Sequence, residues 1–255
     1  MIDLLKTHHI NDVRLVFPRN RSLWASQAVL CAASPYFRTS FKSGFSESSD
    51  RATAESTSPM LGLCEALECD DSDDDERSNS SYSSAASKSQ TPNSSHPTIQ
   101  IYDTSYITYH AVLCWIYTTY IDFAPLLSTF DTTSSDKARA GRDLHLAKFI
   151  STNPKLPTPA SPKSIYRLAH YLELPKLKNL ALANIKSQLS PSNIAVELFS
   201  ETSGRYDEVL DVMVEYAAAH TTEMKASAGW KATMAKLAEM KWAATVFAKL
   251  AEKVL

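Results

Sequence analysis

Trp24-Ala-Ser-Gln-Ala-Val-Leu-Cys-Ala-Ala-Ser-Pro-Tyr-Phe37 changes its period halfway along. Its first residues, with Ser22 and Leu23, read as the returning strand of a hairpin. Ala28, Val29, Leu30 and Ala32 then read as a short buried helix. Pro35 suits the first turn of a second helix, because φ is already fixed and the missing N–H has no partner to lose, and Ser34 is the N-cap candidate. Tyr36, Phe37, Phe41 and Phe45 carry that helix onward at helical spacing.

Working outward, Asp12-Val-Arg-Leu-Val-Phe17 alternates polar and apolar residues as a half-buried strand does, and Pro18-Arg-Asn-Arg21 turns it back on itself. Downstream, Thr98-Ile-Gln-Ile-Tyr-Asp103 is a second strand signal. Ser105 can cap a helix carrying Ile107, Val112, Leu113, Trp115 and Ile116, and Tyr120-Ile-Asp-Phe123 is a short extended piece. Beyond Ser161 the pattern is helical. Ile165, Leu168, Ala169 and Leu172 form one apolar face and Leu177, Leu180, Ala181 and Ile185 the next. Ser190-Pro-Ser-Asn193 restarts a helix with Ala195, Leu198 and Phe199 apolar, followed by Tyr206, Val209, Leu210, Met213, Tyr216 and Ala217. Trp230, Met234, Leu237, Met240, Ala244, Phe247, Leu250 and Val254 then step by three or four for over twenty residues. The fold class is α+β: a small, mainly three-stranded sheet flanked by helices, then an all-helical extension.

Two stretches interrupt this order. Between Ser48 and Pro97 lie ten acids and three bases, a net of seven negative charges, so the rest of the chain is mildly basic despite an overall charge of −2. The same stretch holds seventeen Ser or Thr and one aromatic, Tyr82. It has too little apolar surface to offset ordering the backbone, about 1–2 kcal/mol per residue, and reads as disordered apart from the apolar island at Met60–Leu67. The second break, about 128–161, contains Pro154, Pro157, Pro159 and reads as loop, with Asp143–Ile150 able to form a short helix. One domain over 1–190, interrupted at about 48–97 and 128–161, with a helical extension over 191–255, is the expected organisation.

Composition excludes several chemistries. Glycine averages about 7% of residues, on the order of eighteen in a chain of this length; here there are five, scattered singly. No glycine-rich phosphate-binding loop or nucleophile elbow can be written from them. Cys64 and Cys69 with His96 lack the second tight pair a zinc site needs, so no metal and no cofactor is expected. Cys31 and Cys114 read as small apolar residues on buried helices. The histidines show no ligand spacing, and His170 beside an apolar helix face is a packing or surface residue. The lysines near the end of the chain alternate with Glu223, Glu239 and Glu252, a solvated face and not a nucleic-acid patch. No long uncharged apolar run or leader pattern is present, so no membrane partner is expected.

The strand Asp12–Phe17, the Trp24–Phe37 stretch, Phe45-Ser-Glu47, the strand at Ile99–Asp103, Leu113-Cys-Trp-Ile-Tyr-Thr118 and Ile165-Tyr-Arg-Leu-Ala-His-Tyr-Leu-Glu-Leu-Pro-Lys-Leu177 together resemble, in order, a BTB (POZ) domain. The resemblance covers roughly residues 3–47, 98–127 and 162–190 and points to fungal-type members with long loop insertions and a helical extension. It implies a non-catalytic protein–protein interaction module in the cytoplasm and/or nucleus, an adaptor for a cullin-type ubiquitin ligase or else a homodimeric or heteromeric scaffold or transcription-associated regulator. In cullin-binding members a hydrophobic-x-Glu motif follows the third helix, and Phe45-Ser46-Glu47 has that form. In repressor members an Asp of the first strand and a basic residue line a pocket at the dimer groove. Asp12 is present here, but Ser26 and Gln27 stand where the basic pair is expected, which argues against capture of repressor-type peptides. Ser72, followed by three Asp, is a candidate phosphosite for an acid-directed kinase.

Overall fold

The computed structural model describes residues 12–42, 97–130 and 134–254. Strand β1 (Val13–Phe17) buries Val13, Leu15 and Phe17 on one side, the alternation its sequence calls for. Strand β2 (Arg21–Ala25) pairs with it antiparallel, in register from Val13 opposite Ala25 to Phe17 opposite Arg21. The turn between them holds Arg19 and Asn20 at positive φ, a region Asn tolerates better than Arg. Strand β3 (Thr98–Gln100) adds to the other edge of β1 in parallel, giving the order β2-β1-β3.

Helix α1 (Gln27–Ala33) and helix α2 (Pro35–Lys42) follow the hairpin as expected. Ser34 serves both: its N–H closes α1 onto Leu30 O, and its Oγ accepts the Phe37 N–H at 3.3 Å while donating to Leu172 O at 2.6 Å. The expectation that α1 is buried needs correction. Only Leu30 is buried, Ala28 and Ala32 are exposed, and Cys31 is half-buried. Helix α3 (Tyr106–Thr118) is capped by Ser105, which accepts the Thr108 N–H at 3.1 Å, and runs through the core from Thr108 to Cys114. Burial pushes the Cys114 thiol up to about 11, so it is a protonated packing residue at neutral pH.

The reading of 128–161 as loop or disordered insertion is overturned over most of its length. A 3₁₀ turn (Leu127–Thr129) comes before helix α4 (Ser135–Thr152), and the proline-bearing residues after the helix are irregular, with a bridge between Phe123 and Ala160. The physical reason lies in what α4 buries: Ala138, Arg142 and Leu146, a stripe one side chain wide whose central member is an arginine. Arg142 is 1% exposed, and its Nε donates to Pro125 O at 2.8 Å.

Helix α5 (Pro162–Tyr171) is the middle of the molecule, buried from Pro162 through Ala169 with both Lys163 and Arg167 included. It packs against α3 on one side and helix α6 (Pro175–Ser187) on the other. On α6, Leu177, Ala181 and Ile185 are buried, whereas Leu180, expected on the same face, is exposed. Helices α7 (Ile194–Leu198), α8 (Glu201–Arg205), α9 (Asp207–Ala219) and α10 (Thr221–Ala226) extend the core, so that one apolar cluster runs from Val13 to Val246. The single long helix expected over 230–254 is instead helix α11 (Ala228–Ala235), a 3₁₀ turn (Leu237–Glu239) and helix α12 (Ala243–Val254). The break brings Trp242 onto Gly204, where a Cβ would lie 2.1 Å from the indole ring. Gly229 likewise lets α11 approach the Ser192 carbonyl, which a Cβ would meet at 2.2 Å.

Lys163 Nζ lies 3.3 Å from Glu197 Oε2, and Ser128 Oγ donates to Glu197 Oε1 at 2.5 Å, all three groups buried. This joins α5, α7 and the turn before α4 at one carboxylate. Glu197→Ala, which takes the buried carboxylate away from Lys163 and Ser128, is expected to cost about 3–5 kcal/mol in chemical denaturation, and Lys163→Met with Glu197→Leu distinctly less. Gly204→Ala is expected to lower the melting temperature and raise hydrogen exchange across α12 while leaving α3 protected, as measured by exchange mass spectrometry.

Candidate protein-interaction surface

Asp12, Ser26 and Gln27 converge where β1 begins, β2 ends and α1 starts. The Asp12 N–H donates to Ala25 O at 3.2 Å, closing the hairpin, and Asp12 Oδ1 accepts the Gln27 N–H at 2.6 Å. Ser26 occupies the N-cap position of α1 yet makes no side-chain capping bond. The carboxylate from the neighbouring strand does that work, with negative charge placed at a helix N-terminus where the backbone dipoles favour it. The Ser26 N–H donates to the Tyr117 hydroxyl at 2.7 Å. Burial raises the Tyr117 pKa, against the opposing pull of that bond. Sequence reasoning placed the first three residues together and missed Tyr117; its one signal was the Trp115-Ile-Tyr117 run at the end of α3.

The arrangement is a structural joint with an exposed acid at its rim. Oδ1 is committed to a backbone donor, and Ser26 and Gln27 bring no basic side chain to it. Next to it, Arg14 lies over the Trp24 ring at 5.8 Å from the centroid, a cross-strand pair on the sheet face away from the core. Tyr102, just past β3, is 75% exposed. These side chains suit contact with another protein and carry no nucleophile–base pair.

Phe45, Glu47 and Ser72, with Cys64, Cys69 and His96, lie outside the described residues. What leads to Phe45 is visible: Phe37 is buried and stacks on Phe41 at 6.1 Å, an i, i+4 aromatic row along α2 that the sequence continues at position 45. His170 is an exposed residue stacked on Tyr166 and set edge-on to Tyr206. Tyr171 donates its hydroxyl to Tyr36 at 2.5 Å, tying α5 to α2, and burial first, then Tyr36, holds its pKa far above the usual phenol. Among the described residues, no group of three or more His, Cys, Asp or Glu could hold a metal ion, and no helix is long and apolar enough to cross a membrane.

Residues 1–61 match the family model of the BTB/POZ domain. That match supports a BTB/POZ domain at the start of the chain. No curated protein matches it. The matched segment of the BTB/POZ domain contains β1, β2, α1 and α2 and therefore the whole Asp12–Gln27 joint except Tyr117. BTB/POZ domains are protein–protein interaction modules, and a small three-stranded mixed sheet with a helical remainder is consistent with one.

Removing the cap separates a structural role from a recognition role for Asp12. Asp12→Ala is expected to destabilise the fold by about 0.5–1 kcal/mol, with Asp12→Asn close to wild type, read from urea unfolding midpoints.

Proposed function

We propose that this BTB/POZ protein is a non-catalytic adaptor that presents a partner to a cullin-type ubiquitin ligase scaffold. The observation that carries the reading is the family match together with Phe45-Ser46-Glu47, an aromatic-x-acid motif set directly beyond the Phe37–Phe41 row of α2. In this reading the Phe45 ring fills an apolar pocket on the scaffold, and the Glu47 carboxylate accepts a charge-assisted hydrogen bond at its edge. The partner to be presented is held by the helices after residue 190, by the insertions or by a further protein. The protein works in the cytoplasm and/or nucleus, and Ser72 phosphorylation would deepen the acidity of the 70–76 run.

A second reading, a homodimeric or heteromeric BTB scaffold or transcription-associated regulator without a ligase, is favoured by the half-buried Arg14–Trp24 pair on the sheet face away from the core. The bond from Gln27 N–H to Asp12 weighs against its repressor-type form, because the acid is already engaged.

Purified chain is expected to retain a cullin scaffold in a pull-down, and Phe45→Ala with Glu47→Ala to abolish retention, with the melting temperature of the variant measured alongside to show that it is folded. Undiminished retention by the double variant sinks the adaptor reading. Absence of retention by the wild type, with dimers seen by light scattering, transfers support to the scaffold.

A further inference from the structure

Helix α4 buries Ala138, Arg142 and Leu146 and leaves its opposite side open. At about 100° per residue, that side carries Ala140, Leu144, Ala147 and Ser151, separated by four, three and four positions, the interval of a coiled-coil seam. Leu144 is 73% exposed and Ile150, at the margin, 45%. An exposed leucine of that extent in the middle of an otherwise docked helix asks for a partner. The charges around it indicate which one. Asp136 and Asp143 run along one flank of the seam, Lys148 lies on the other, and Lys137 stands on the seam itself. No ion pair is recorded for any of the four among the described residues.

We propose that α4 is a homotypic interface: two copies of this chain pair their α4 helices in parallel, Leu144 against Leu144, with Asp143 of each copy reaching Lys148 of the other. The orientation follows from the flanks. A two-fold axis along the helices brings the acidic flank of one copy against the basic flank of the other, whereas antiparallel pairing sets like flank against like. Asp143 and Lys148 are five positions apart, the offset that flanking charges bridge in parallel pairs. The alanines at 140 and 147 let the two backbones approach closely. With only about two heptads and a lysine at position 137 of the seam, the pairing is weak and concentration-dependent. This interface uses neither Phe45 and Glu47 nor the Asp12 joint, so it stands apart from the adaptor reading.

Sedimentation velocity of the full chain across a concentration series tests it. The wild type is expected to show a monomer–dimer equilibrium that weakens with salt. Leu144→Glu, at a position whose side chain the fold does not need, is expected to raise the dissociation constant about a hundredfold at unchanged melting temperature. Asp143→Lys is expected to raise it about tenfold, and Asp143→Lys combined with Lys148→Asp to restore it. In a background with Cys31, Cys64 and Cys69 changed to Ser, Ala140→Cys is expected to give a disulfide-linked dimer on oxidation that the background alone does not, since parallel in-register pairing sets residue 140 against itself. A chain that stays monomeric throughout overturns the proposal, and so does a dimer indifferent to Leu144→Glu; the latter would place self-association on another face and leave the adaptor reading untouched.

Discussion

A lysine, a glutamate and a serine, each withdrawn from water, hold the centre of this molecule. Lys163 belongs to a helix whose first eight residues are all buried, Glu197 to a five-residue helix in the extension, and Ser128 to the turn that introduces α4. Removing two charges from water is costly, and their attraction recovers that cost only if geometry and supporting hydrogen bonds are good. Such an arrangement therefore tolerates little displacement. It sets how α5 lies against α7, and through α5 it sets where α3, α6 and the sheet can sit. The helices after residue 190 share this centre and the same apolar cluster as β1, so they belong to the interior of one fold and are not a detachable tail.

Around that centre the charged contacts are of a different kind. Helix α9 presents Asp207, Glu208, Asp211 and Glu215, and lysines from both neighbours reach them: Lys178 and Lys186 from α6, Lys249 from α12. The Lys178 bond holds Glu208 below the ordinary carboxylate range, and the bond to Asp211 raises Lys249. All are solvent-facing pairs, each contributing about 0–1 kcal/mol and screened by salt. They align helices that packing has already brought together, with Val246 and the Phe199–Phe247 contact supplying the apolar part at α12.

Where a position's chemistry is local, the sequence was sufficient to read it. Strand alternation at Val13–Phe17, the caps at Ser34 and Ser105 and the succession α5–α6 all follow from neighbours a few residues away. What escaped depends on distant partners. Helix α4 hides its docking stripe behind Arg142, which looks like a surface residue until Pro125 O comes within reach. The run 230–254 keeps its helical period in sequence, yet Trp242 turns out of it to meet Gly204, almost forty positions earlier. At the interaction surface the membership of Asp12, Ser26 and Gln27 was legible, whereas the capping bond between two of them and the hydroxyl of Tyr117 depend on tertiary placement. Gly204 and Gly229 also revise what a low glycine count means, since these two are kept for close approach of side chain or carbonyl and not for turns.

The parallel pairing of β3 has a consequence for how the chain is assembled. The β1–β2 hairpin can close as soon as residue 25 has been made, through a three-residue turn. Strand β3 can join only after everything between Ala25 and Thr98 exists, because a parallel neighbour demands a crossover. Closing that crossover grows dearer only with the logarithm of its length, about 0.6 kcal/mol per doubling. The hairpin and its two helices can thus order first on the ribosome, with the third strand a late addition whose timing stretches with every residue inserted ahead of it.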